Sequence, residues 1–153
     1  YEDSWYAEGR RRMDKLPTAA ERLEELVAMT LLPDSEPELE GNWQIWLDFW
    51  AQAARNGDVA AVRRESDERW RELIASLVHA GQEAGEFADI DPRPFAIFVS
   101  ALLDGMTIQI ALDDPVVDPV SAYELCMRYI ADRLGFQWTA GDRERGAASR
   151  EFA

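Results

Sequence analysis

One cysteine, one histidine and one lysine are all this chain has of three residue types that commonly supply nucleophiles, metal ligands and anion-binding charge. Cys126 alone cannot close an intrachain disulfide, and between Leu125 and Met127 it reads as a small buried hydrophobe. Any His-paired triad would have to use His79, and no Gly-x-Ser-x-Gly elbow or glycine-rich phosphate loop accompanies it. A di-iron helical bundle needs two Glu-x-x-His motifs, and the position three before His79 is Ser76. His79 is therefore expected to be an exposed histidine at a helix end, favoured by the C-terminal dipole. No enzyme, metal or cofactor is expected.

Positive charge is scarce too. Sixteen basic against 30 acidic side chains leave a formal charge of −14, a surface that repels phosphate backbones rather than releasing their counterions. These residues alone are not expected to bind nucleic acid. The sequence shows no apolar run expected to span a bilayer and no secretory leader, which makes the cytoplasm the default compartment. The opening, YEDSWYAEGRRR, lacks an initiator methionine and is expected to belong to something longer. Strand signals are weak: the one Asn-Gly pair, Asn56-Gly57, separates two helical patterns rather than two alternating ones.

What remains is apolar and helical. At 153 residues and 47% hydrophobic, the chain can bury one sizeable core. An opening helix is expected over roughly Asp3 to Lys15, weakened by Gly9 in its middle. Thr18 and Glu21 form a capping box ahead of Leu23, Leu26, Val27 and Leu31. A Pro-rich break around Pro33 and Pro37 precedes a face bearing Trp43, Trp46, Leu47, Trp50 and Ala54. Asp58 is placed to cap the longest helix, with Val59, Val62, Ser66, Trp70, Leu73 and Leu77 inward and Arg63, Arg64, Glu65 and Glu68 outward. Gly81 and Gly85 bracket its end. Asp91-Pro92 and Asp118-Pro119 each place an acidic N-cap before a proline at the first helical position. The expected fold is all-α, a single helical-bundle domain of about six helices over residues 1–136. The polar stretch 137–153 is expected to be a disordered tail, fraying from Thr139.

Two features point toward function. The segment Phe95 to Leu112 is apolar almost all round: Phe95, Val99, Leu102 and Met106 make one stripe, and Ile97, Ala101, Ile108 and Leu112, with Gly105 beside them, make another. One stripe can face the domain's own core, and the second needs a cover. The last helix offers Tyr123, Cys126, Met127, Ile130 and Leu134, with Leu125 and Tyr129 off that side. The expectation is a homodimer whose last two helices form a four-helix interface through Ile97, Ala101, Gly105, Ile108, Leu112, Tyr123, Met127 and Ile130. The second feature is the tryptophans. Trp43, Trp46, Trp50 and Trp70 can wall a pocket for a lipophilic or aromatic effector, with Ser66, Leu102, Met106 and Gln109 as further lining. With no net positive cluster there, a neutral or cationic ligand is preferred over an anion, unless Arg69 turns inward.

The stretches WLDFWAQA, ERWRELIASLVHAGQEAGEF, the Asp91-Pro92 start and ALLDGMTIQIAL together resemble the ligand-binding and dimerisation domain of TetR-type bacterial transcriptional regulators, over roughly Thr18 to Phe136. In that family an N-terminal helix-turn-helix reads an operator as a dimer, and a larger helical domain binds a small molecule that usually releases the DNA. The resemblance implies an interface on Pro92 to Leu112 and Pro119 to Leu134, and an effector among Trp46, Trp50, Ser66, Trp70 and Met106. It also implies a structural Asp104-Gly105. No helix-turn-helix pattern precedes Thr18, so DNA contact is expected only through a segment absent from this sequence. Two other readings are a stand-alone acidic helical interaction module and an enzyme using Asp104 or His79 in a helical cavity.

Overall fold

The computed structural model describes residues 2–33, 42–141 and 143. Among these, all regular structure is helical: α1 (Glu2–Met13), α2 (Ala19–Leu31), α3 (Asn42–Ala53), α4 (Gly57–Glu83), α5 (Pro92–Ala111) and α6 (Pro119–Leu134). The Pro-rich break between α2 and α3 lies outside the described residues beyond Pro33, as does the expected tail beyond Gly141 except for Arg143.

Helix starts follow the capping chemistry of the sequence. The Thr18 hydroxyl accepts the Glu21 amide at 3.1 Å and donates to the Glu21 carboxylate at 3.2 Å. Asp91 accepts the Arg93 amide at 3.1 Å and Asp118 the Ser121 amide at 3.0 Å, each ahead of its proline. The start of α4 differs from expectation: Asn56, not Asp58, is the cap, its side chain accepting the Asp58 amide at 3.0 Å. Asparagine caps as well as aspartate, and Asp58 inside the first turn still meets the positive end of the dipole. A further cap comes from far along the chain. The Glu86 carboxylate accepts the amides of Ala19 and Ala20 at 3.0 and 3.2 Å, so the α4–α5 connection closes the start of α2.

The inner helix is α2, which packs against α1, α4, α5 and α6. Leu23, Leu26, Val27, Ala28 and Leu31 are buried around most of its circumference. Each large aliphatic side chain so enclosed contributes about 1.5–3 kcal/mol relative to exposure. Onto α2 close Ile74 and Val78 from α4, Phe95, Val99 and Leu103 from α5, and Cys126, Met127, Ile130 and Leu134 from α6, in one continuous core. Glu24 is buried among them, accepting hydrogen bonds from the Tyr123 hydroxyl and, at 3.0 Å, from the Trp138 indole. Burial and this carboxylate raise the Tyr123 pKa. Burial pushes the Cys126 thiol up to about 11, which keeps it an inert hydrophobe.

One sequence expectation is corrected by α5. By length and composition it is long and apolar enough to cross a membrane, with a mean hydropathy of 1.5 over its best window. In the fold it packs against α2, α3, α4 and α6.

Candidate functional site

Where α3 and α5 meet the first half of α4, the packing changes from aliphatic to aromatic and charged. On α3, Trp46 and Trp50 are half-buried, and Trp46 meets the Phe49 ring edge-on at 5.8 Å. Facing them, α4 does not present the apolar stripe expected from its sequence. Val62 is turned out and 55% exposed, while the Arg63 guanidinium lies 6.0 Å from the centre of the Trp50 ring. The Arg63 Nε is 3.3 Å from Oδ2 of Asp67, an ion pair without hydrogen-bond alignment. Arg71 approaches the same carboxylate at 4.0 Å and Glu68 at 3.8 Å.

Asp104 lies on α5, which packs against α4, and it feels the charges of this α4 group. Burial first, and then the negative charge of Asp67, push its carboxyl up to about 6, against the opposing pull of Arg63 and Arg71. One helical turn on, Thr107 is only 5% exposed and its hydroxyl has no hydrogen-bond partner. A carboxylate half out of water, with a second carboxylate nearby and indole faces across α3, can hold an organic cation through charge and cation–π attraction.

The residues expected to line one pocket are divided by the fold. Trp46 and Trp50 adjoin the charged group, and Trp43 lies on α3 with its side chain outside the described residues. Trp70 belongs elsewhere: its ring partners are Trp5 at 5.5 Å and Tyr6 at 6.4 Å on α1. Beside it Arg69 does not turn inward. It stacks over Tyr6 at 4.0 Å and pairs with Asp3 at 2.8 Å, holding the Asp3 carboxyl below its usual value. Ser66, Leu102 and Met106 are half-buried. Gln109 is exposed and donates to the Gly105 carbonyl at 3.3 Å, so it lies on the outer face of α5 rather than in an interior. A shallow, open depression lies along the outside of α4 between Ala61, Arg64, Glu65, Glu68, Arg69 and Glu72, apart from the tryptophans of α3.

The expected interface residues divide as well. Ile97, Ala101 and Leu112 lie exposed along one face of α5, with Gly105 and Ile108 partly covered between them. A Cβ added at Gly105 would meet nothing within 4 Å, leaving that face open to close approach by another helix. Tyr123, Met127 and Ile130, by contrast, are core residues. They belong to the stripe of α6 that covers α2. The outward side of α6 carries Leu125, 55% exposed, and Tyr129, which stacks on the 54% exposed Phe98 at 5.1 Å. Phe98 escaped the sequence reading because it sits between the two stripes. Leu125 and Tyr129 were visible as apolar residues off the main stripe, and that was the usable signal.

His79 is exposed and pairs with Glu83 at 3.4 Å, and no metal-binding group of His, Cys, Asp or Glu occurs among the described residues.

The six-helix bundle, with its charged and aromatic seam and its apolar flank, carries the sequence of a C-terminal domain of TetR-type transcriptional regulators. Residues 19–135 match the family described as BetI-type transcriptional repressor, C-terminal, and the chain belongs to that family. No curated protein matches it. Among solved structures, one described as a transcriptional regulator from Saccharomonospora viridis in complex with choline is 25% identical with a TM-score of 0.79, covering 87% of this chain and 68% of that one. A transcriptional regulator from Pseudomonas aeruginosa PAO1 is 24% identical (TM-score 0.70, 86% of this chain and 62% of that one). A TetR transcription regulator from Haloarcula marismortui is 19% identical (TM-score 0.64, 87% of this chain and 69% of that one) and shares the fold.

Proposed function

We propose that this domain is the sensing and homodimerising half of a cytoplasmic repressor, and that it binds a small organic cation in the seam between α3, α4 and α5. The observation that carries the reading is the Trp50 indole 6.0 Å from a guanidinium that pairs with the Asp67 carboxylate at 3.3 Å, with the charges of Asp67 and Arg63 also bearing on the half-buried Asp104 of α5. The choline bound by the Saccharomonospora viridis regulator supports a ligand of this class. Binding in the parent protein weakens its grip on operator DNA, which is contacted by a segment outside this chain. Tryptophan fluorescence and calorimetry with choline, tetramethylammonium and the neutral choline isostere 3,3-dimethylbutan-1-ol test the ligand class. Both cations are expected to bind and quench while the neutral alcohol binds at least tenfold more weakly. Equal binding of all three, or of none, would sink the reading.

Dimerisation rests on the exposed strip of Ile97, Phe98, Ala101 and Leu112 on α5 beside Leu125 and Tyr129 on α6. A strip of this kind on a single bundle calls for a cover, and a two-fold pairing of the two helices provides one. Sedimentation velocity at micromolar concentration is expected to show a dimer. Ala101→Arg, a change at an exposed position that leaves the protomer core untouched, is expected to give a folded monomer. A wild-type monomer would count against the interface, as would an unaltered dimer in the variant.

A further inference from the structure

An organic cation bound out of water is favoured by a π face and by a nearby carboxylate. In this structure one group already has both. The Arg63 guanidinium lies 6.0 Å from the Trp50 ring centre and 3.3 Å from Asp67, and its positive charge bears on Asp104. Arg64 next to it points to solvent, as expected for an arginine on a helix of this kind, whereas Arg63 is folded against α3.

The hold on Arg63 is loose. Its contact with Asp67 lacks hydrogen-bond alignment, the ring distance is at the outer limit for cation–π attraction, and 39% of the side chain remains exposed. A long side chain so held can swing out into water without disturbing the helix that carries it, because the aliphatic stem and the charged head separate readily.

We infer that Arg63 is a resident stand-in for the effector's cation: its guanidinium occupies the seat beside Trp50 and Asp67, where the charge of Asp104 is also felt, and the effector binds by displacing it. This inference rests on the cationic-effector reading above and adds to it a residue that sets affinity by competing from within. It also accounts for the arrangement of two carboxylates and two guanidiniums around the seam. The negative pair stays compensated when no effector is bound, and exchange of one cation for another keeps that balance. A seat filled about 90% of the time by its own guanidinium lowers apparent affinity about tenfold, and emptying it removes that factor.

Titration calorimetry with tetramethylammonium on the whole chain tests this, using Arg63→Met, which removes the charge while keeping apolar bulk, and Arg63→Ala. Arg64→Ala serves as the control, since it removes the same charge from an exposed position one residue away. The expected result is about tenfold tighter binding in both Arg63 variants and less than twofold change in Arg64→Ala. Unchanged or weaker binding in folded Arg63 variants overturns the stand-in role while leaving the cation site intact. Equal tightening in Arg64→Ala reduces the effect to net charge and overturns it too. If neither wild type nor either Arg63 variant binds the cation, both the inference and the underlying reading fall. Thermal melts of each variant establish that the comparison is between folded proteins.

Discussion

Alanine at position 81 is expected to destabilise the domain by about 2 kcal/mol, although alanine is the better helix former. Gly81 lies in the last turns of α4 beneath Phe87. A Cβ there would overlap the Phe87 ring at Cδ2 and Cε2 and stand 2.8 Å from Cγ. Phe87 cannot simply turn away. It is buried, packs at 5.3 Å on Phe136, and its amide and that of Glu86 both donate to the Gly81 carbonyl, at 3.3 and 2.8 Å. Glu86 in turn caps α2, and the Ala88 amide donates to Leu134 at the end of α6 at 2.8 Å. Displacing Phe87 therefore strains the termini of three helices. Overpacking of this severity costs about 3 kcal/mol, against about 1 kcal/mol gained in helix propensity, and the steric term wins. Urea unfolding measures the difference. Phe87→Leu in the Gly81→Ala background should recover much of the loss, giving a large coupling energy between the two sites. A neutral or stabilising Gly81→Ala in the wild-type background would show that this turn is not packed as described.

Asp104→Asn is expected to act in opposite directions on stability and binding. The carboxyl titrates near 6 in the folded chain against 3.8 for the unperturbed group, so the folded state is penalised for holding it charged. That penalty is complete above about pH 6, shrinks as pH falls through the window, and vanishes below about pH 3.8, where folded and unfolded chains are both protonated. The charged groups that set it all lie on α4: Asp67 raises the value, and Arg63 and Arg71 lower it. At about 1.4 kcal/mol per pH unit, and discounted for the solvent that still reaches the site, the asparagine variant gains about 1–2 kcal/mol at pH 7.5. The gain should disappear at pH 3.5 or below. Binding of an organic cation, which draws on the same charge, should fall by about ten- to a hundredfold at pH 7.5, since a charge-assisted contact of this kind is worth about 1.5–3 kcal/mol. In wild type, affinity should likewise weaken as pH falls through about 6, and in the variant it should be flat there. Melting curves across pH 3–8 and calorimetry across pH 4–8 measure the two effects. A variant that is destabilised, or that binds the cation as well as wild type does, would remove Asp104 from the site.

These effects show where the sequence is informative and where it stops. Caps and breaks are local, so Thr18, Asp91-Pro92 and Asp118-Pro119 could be placed from residue type alone, because the hydrogen bond they make is to an amide two or three residues away. The all-α class, the helix order and the family resemblance were legible for the same reason. Even Asn56 against Asp58 was an error of two residues within one cap.

What tertiary structure alone decided is the partner of each face. Periodicity says that α4 has an apolar side, but Val62 faces out and Arg63 faces in, because α3 brings an indole and α5 a carboxylate that together make a charged side chain the better neighbour. Trp70 went to α1 rather than α3, since equal helical spacing cannot tell one aromatic neighbour from another. In α6 the strong stripe of Tyr123, Met127 and Ile130 was taken up by α2, leaving Leu125 and Tyr129 outward. The buried Glu24 gave no sign in the sequence, because its two donors, Tyr123 and Trp138, lie about a hundred positions away in the chain. The sequence by itself determined which segments are helices and where they begin. Which sides meet, and so where charge is buried beside an aromatic wall, was settled only when non-local packing chose among faces that are equivalent in one dimension.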